Sequence, residues 1–472
     1  MALSNLNSLK IKFLQIIFGG FLFLLALYLS RSAMFGATTN IKMVGVLIVS
    51  IGILLALDKN YLILCPISQF LLIKIPGLPF DGGEIGCLVF IAMFFVRSAM
   101  RRDKVTEFKK EALLACPYFI WICFVWVLNP TGMNILGSEM LGARYYFKIV
   151  LGFVTLLIFS RMYITEKQCK IVFFSILVAN VLTVFMSISN IGAAKIAGLI
   201  NQDGTTRYFL ETTGFCLILL LCNYRIGEFI RIGWKFFLAV VLFCVVTYTG
   251  KRTMMGQVIL SPFILMFFRG KDKAKTIVIA IFAAIILGFV LIGQGRVYDL
   301  PFSIQRSLSF FPAKWDRRLE NYGTKDLFRE ELHRRAKVHI NANPWVGRRG
   351  FAMSRSETIW INASQGNNTY IGHDYAGNWH NKFWGMGADF GLPASFSWYF
   401  FSISAFLICW KRRYLTDVGT YRNTLFLFYS LYMVYDLIFA FGHSSLTPFQ
   451  QWVKFAFLLA LLNKKDKIYL EK

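Results

Sequence analysis

His380 is the side chain best placed for proton chemistry in this sequence. Trp379-His380-Asn381 closes a long polar segment, just where the chain turns back into an apolar run. An imidazole at a water–lipid boundary can accept a proton near neutral pH. For a lone histidine the blander role, a surface or helix-capping side chain, is the commoner one. The same segment holds His333, His339 and His373, so four of the five histidines lie in it. His333 and His339 are six residues apart, and His373 and His380 are seven apart. Neither pair has the i, i+4 spacing of a helical metal site. The nine cysteines lie outside this segment, with no Cys-x-x-Cys pair and no zinc-type Cys/His spacing. No metal site and no bound cofactor is expected. The chain also lacks a phosphate-binding P-loop, a dinucleotide fingerprint, a Gly-x-Ser-x-Gly elbow and an Asp-x-Asp pair.

The elements that must carry these residues follow from composition. Of 472 residues, 56% are hydrophobic and 16% charged, against roughly 25% charged in a soluble domain. Such a chain cannot hide its apolar surface in one soluble core, so its solvent is lipid. Apolar runs long enough for a bilayer fall at 13–30, 43–57, 60–75, 84–97, 111–128, 145–161 and 171–189. Further runs fall at 209–223, 235–249, 253–268, 276–293, 388–410, 424–442 and 450–463. Two pairs with very short turns read as helical hairpins, and a member of either could be a partial span. The expectation is an all-α polytopic membrane protein of about 12–14 transmembrane helices. Residues 1–293 form an N-terminal transmembrane bundle of about eleven spans, 294–387 a long, partly helical external loop, and 388–472 the C-terminal transmembrane helices.

Charge orients the bundle. The net charge is +26. Most Lys and Arg punctuate apolar runs rather than forming a soluble basic face, which argues against a nucleic-acid partner. Arg97, Arg101, Arg102, Lys104, Lys411, Arg412, Arg413, Lys464 and Lys465 cluster on one side. By the positive-inside rule that side, with both termini, is cytoplasmic. The long loop holds fourteen Lys and Arg, but loops beyond about 60 residues escape the rule.

The stretch from His380 to Pro393, HNKFWGMGADFGLP, resembles the C-terminal signature of the O-antigen ligase and O-antigen polymerase family. That signature has His-Asn, a helix, then an acidic residue and Gly-Leu before a span. Asn343-Pro344-Trp345-Val346-Gly347-Arg348-Arg349-Gly350-Phe351 is similar to the family's Pro-x-x-Gly-x-Gly turn, and a helix with Arg329 near its start precedes it. Thr249-Gly250-Lys251-Arg252-Thr253 stands at the family's Ser-Arg-Gly position. There are departures: Lys251 and Thr253 replace small residues, and Arg348 and Arg349 interrupt the glycine turn. The resemblance covers about the second half of the chain.

It implies a membrane glycosyltransferase of the GT-C kind in the bacterial inner membrane, with the long loop in the periplasm. The donor would be an undecaprenyl-diphosphate-linked glycan and the acceptor a lipid-linked repeat unit or a lipid A core sugar. His380 would take the proton of the attacking hydroxyl, and the anomeric centre would invert. Fixed cations lower the barrier to loss of a diphosphate, and Arg grips phosphate with a planar fork. Arg252 matches such a position by motif. Arg207 matches only by place, with Lys195 as a rival. Arg348 and Arg349 extend the anion site or merely solvate a turn. Asn381 fixes the histidine or caps a helix. Glu211, four residues after Arg207, reads as its ion-pair partner. Asp436, within a span, faces a cavity or His443.

Polymerisation of surface-polysaccharide repeat units, as in lipopolysaccharide biosynthesis, is the preferred activity and ligation to lipid A core the runner-up. From another class, a flippase of the same lipid-linked glycan would show repeat symmetry and ionisable groups at mid-membrane, and neither is clear.

Overall fold

The computed structural model describes residues 60–69, 82–99, 108–129, 143–189, 211–224, 233–248, 252–269, 273–309, 311–317, 319, 327–350, 379–413, 419–441 and 448–463. Every regular element among them is helical. In chain order the α-helices are α1 (Leu64–Ser68), α2 (Gly82–Ala99), α3 (Cys116–Leu128), α4 (Ala143–Phe159) and α5 (Glu166–Ser189). Then come α6 (Glu211–Asn223), α7 (Gly233–Tyr248), α8 (Arg252–Arg269), α9 (Lys273–Gly293) and α10 (Phe302–Leu308). The last are α11 (Leu327–Ala342), α12 (Lys382–Phe390), α13 (Leu392–Arg412), α14 (Tyr421–Ile438) and α15 (Pro448–Leu461). The expected spans 13–30 and 43–57 lie outside the described residues.

The chain divides into two compact units, Met1–Met93 and Phe94–Lys472. In the first, Tyr61 stacks on Phe90 and the Cys65 and Cys87 thiols approach to 3.5 Å. In the second, α14 is buried on nearly every side, so it is the central helix. Around it pack α5, α6, α8, α13 and α15, and α15 lies along α4.

Lys110–Leu128 and Leu392–Arg412 are long and apolar enough to cross a membrane; Tyr145–Phe159, Gly233–Thr247 and Ala284–Gly293 are apolar but shorter. On α9 the side chains of Ile281, Phe282, Ile285, Ile286, Phe289 and Ile292 are all exposed. A stripe of that size is stable against lipid and not against water.

One element departs from the expectation. The run 388–410 is not one helix. It breaks at Gly391 (φ 87°) into α12 and α13, and Pro393 opens the second helix where its missing N–H is harmless. Only glycine fits this break. Its φ lies in the left-handed region, and a Cβ there would collide with the Trp345 carbonyl. The Leu392 N–H donates to the Pro344 carbonyl at 2.8 Å, so the break is the seat on which the Pro344–Gly350 turn rests.

We expect Gly391→Ala to destabilise the protein by roughly 3 kcal/mol or more, through left-handed strain and the clash together. The check is the thermal midpoint of detergent-purified protein, and unchanged melting would show that the break tolerates a side chain.

Candidate functional site

α12 begins where the backbone is strained. His380 adopts φ 51°, and Arg349 φ 61°. Among the described residues these are the only non-glycines at positive φ, a conformation that costs a bulky side chain about 1–2 kcal/mol. Both belong to the motifs singled out in the sequence. Asn381 is the N-cap of α12, its side-chain oxygen accepting the Trp384 N–H at 3.1 Å. That is the capping role weighed for it, and it fixes the residue next to His380.

The two loop motifs meet at Asp389. Its carboxylate accepts the Trp379 indole N–H at 3.1 Å and pairs with the Arg348 guanidinium at 2.8 Å. Asp389 is 4% exposed. The backbones join as well: the Arg348 N–H donates to the Ala388 carbonyl at 2.8 Å and the Gly350 N–H to the Asp389 carbonyl at 2.6 Å. Arg348 therefore has an internal carboxylate as partner and holds the turn in place. A buried pair of this kind is costly to break, about 3–5 kcal/mol when one partner is lost.

α3 and α4 brace this assembly. The Trp121 indole N–H donates to the Phe390 carbonyl at 2.8 Å, satisfying a C-terminal carbonyl of α12. The Asn129 amide donates to the Arg349 carbonyl at 3.0 Å. Tyr145 stacks on Phe390 at 5.3 Å.

The loop helix α11 lays Ala336 and Ile340 against Trp379 and Ala388. His339 meets the Trp379 ring edge-on at 5.6 Å, and the Arg348 guanidinium lies 5.6 Å from the same ring. Trp379 is thus the hub between α11, the glycine turn and α12, a role that nothing in its sequence context marked. On the outer face of α11, hydrogen bonds from Arg334 and Arg335 hold the Glu331 carboxyl down to about 2.

Arg252 lies in a second assembly. It opens α8, and its Nε–H donates to the Arg306 carbonyl at 3.3 Å. The Ser307 hydroxyl donates to the Thr247 carbonyl at 2.6 Å, so α10 is docked on the α7–α8 hairpin. Arg306, a loop arginine outside every motif, therefore stands beside Arg252. The N-terminus of an 18-residue helix adds partial positive charge to that guanidinium.

The turn Phe439–Phe441 touches both assemblies. It packs against α12, and a Cβ at Gly256, one turn beyond Arg252, would stand 3.1 Å from the Phe439 ring. The starts of α8 and α12 thus lie at the same end of the bundle. Arg207 and Lys195 are outside the described residues, as is the side chain of Glu211. Asp436 is buried, and neither carboxylate oxygen is hydrogen-bonded among the described residues. Among the described residues no group of three or more His, Cys, Asp or Glu gathers as metal ligands would.

Residues 236–399 match the sequence family described as O-antigen ligase. No curated protein matches the chain. The matched segment runs from α7 through α13 and contains Arg252, Arg348, His380, Asn381 and Asp389. That match supports an O-antigen ligase/polymerase assignment for the segment that carries these motifs.

Proposed function

We propose that this protein is a polytopic inner-membrane glycosyltransferase that uses an undecaprenyl-diphosphate-linked glycan as donor. The reaction takes place at the periplasmic face and polymerises repeat units of a surface polysaccharide. The observation that carries the reading is the meeting of the His380-Asn381 turn and the Pro344–Gly350 turn on Asp389, inside the family-matched segment.

In this reading the acceptor hydroxyl attacks the donor's anomeric carbon from the face opposite the diphosphate. A new carbon–oxygen bond forms, and the bond to the phosphate oxygen breaks with its electron pair leaving on the diphosphate. The hydroxyl proton passes to the His380 imidazole. Arg252, at a helix N-terminus and held by the Arg306 carbonyl, neutralises the charge that builds on the leaving group. Arg207 is a further candidate for that task. Arg348, paired with Asp389, keeps the turn beside α12 in register. No metal or cofactor is assigned to the step, the configuration inverts, and both termini are cytoplasmic.

The family description favours a second reading, ligation of the same glycan to a lipid A core sugar. The residues and the bond changes are the same; only the acceptor differs. Purified protein supplied with lipid-linked oligosaccharide separates them: chain growth supports polymerisation, and transfer that requires core lipid supports ligation. Movement of an unaltered glycan across a liposome would point to a flippase instead.

His380→Ala is expected to lower turnover about 10²–10⁴-fold while donor affinity is retained. Single-turnover assays with donor-binding measurements check this, and normal product formation removes His380 from the base role. Arg252→Lys keeps the charge but loses the planar fork. We expect kcat/KM to fall at least about 10-fold, and wild-type kinetics would leave Arg252 a topology residue only.

A further inference from the structure

Three buried ionisable side chains from three packed elements interact electrostatically, one of them at the start of α12. Lys382, the first residue of α12, is 5% exposed, Asp436 on α14 is 1% exposed and Lys454 on α15 is 8% exposed. The Lys382 ammonium lies 4.6 Å over the Trp398 ring. The Lys454 ammonium lies 4.6 Å over the ring of Tyr432, one helical turn before Asp436. Both lysines act on the Asp436 carboxylate through space, and Lys454 acts on Lys382. Yet among the described residues neither carboxylate oxygen of Asp436, nor the nitrogen of Lys382, has a hydrogen-bond partner.

Stability does not account for this arrangement. Taking charges out of water costs more than a pair without hydrogen bonds returns, and apolar residues of similar volume usually fold as well or better. Position offers an account. Lys382 is two residues from His380, whose left-handed backbone must be held by its surroundings. Asp436 lies in the last turn of α14, three residues before the turn that touches both α12 and the Arg252 helix. Burial lowers the Lys382 ammonium to about 7, and the Asp436 carboxylate opposes that fall.

We propose that Asp436 and Lys454, acting through Lys382, are positioning residues that lock the start of α12 and so keep the His380 imidazole in register with the acceptor hydroxyl. The catalytic part rests on the function proposed above; the locking of the turn does not. A misplacement of about 1 Å can cost about 10²-fold in rate.

The test uses the full-length protein in detergent with lipid-linked glycan donor and acceptor, comparing D436N, K382M, the double variant and K382M/D436L/K454M. We expect each single variant to lose about 30–100-fold in kcat with donor KM unchanged, and the double variant to be no worse than either. D436E should recover part of the rate. The all-apolar triple variant should melt no lower than wild type and remain slow. In parallel, carbethoxylation of His380 by diethyl pyrocarbonate, read by mass spectrometry, should quicken several-fold in D436N and K382M. Wild-type kcat in the triple variant, or single losses that multiply in the double, would overturn the proposal, as would unchanged His380 reactivity. If the wild type transfers no glycan but the His380 reactivity changes, the proposed function fails while the positioning cluster stands.

Discussion

The Asp389 carboxylate, buried at the end of a nine-residue helix, holds the Arg348 guanidinium and the Trp379 indole at once. On this contact the site depends. Arg348 belongs to the glycine turn and Trp379 to the residues just before the histidine, so the carboxylate joins two segments that sequence leaves about thirty residues apart. The break at Gly391 supplies the space. Without it α12 would run straight into α13, and the Trp345 carbonyl would have nowhere to sit. The strained backbones of Arg349 and His380 lie on either side of this pair, as expected where surrounding contacts over-determine a conformation that a free chain would avoid.

Much of the helical architecture was legible in hydropathy. The runs at 84–97, 111–128, 145–161, 235–249 and 253–268 correspond closely to α2, to Lys110–Leu128, and to α4, α7 and α8. Hydropathy failed at 388–410 because window-averaged apolarity carries across Gly391 and the lone Asp389 beside it. Turn chemistry would have found it: a glycine followed two residues later by proline marks the end of one helix and the start of the next. The site was legible in part. His380, Asn381 and Arg348 were singled out and lie in one assembly, yet the Arg348–Asp389 pair was invisible because no local spacing encodes a contact across forty residues. Local spacing likewise does not mark the packing role of Trp379 or the Arg306 carbonyl that holds Arg252. Arg207 lies outside the described residues, so its place at the site remains a proposal.

Physical constraints of two kinds meet in this chain. The exposed apolar faces of α7 and α9 fit lipid surroundings, which places the proposed reaction at a boundary layer. α10 and the glycine turn each dock on helix ends through hydrogen bonds to otherwise unpaired carbonyls, while α11 packs its apolar Ala336 and Ile340 against Trp379 and Ala388. A lipid-borne diphosphate reacting with a sugar hydroxyl needs both: a fixed cation at head-group depth, and a proton acceptor held rigidly on the aqueous side. The turn Phe439–Phe441, packed against both the α12 and α8 sides, gives those two groups a common mechanical reference.

The most direct test is an electron cryomicroscopy structure of the protein bound to an undecaprenyl-diphosphate-linked glycan. The account predicts diphosphate oxygens within hydrogen-bonding distance of the Arg252 guanidinium, and the donor's anomeric carbon facing a space that the His380 imidazole borders. A diphosphate seated away from Arg252, or a sugar separated from His380 by the body of the bundle, would contradict it.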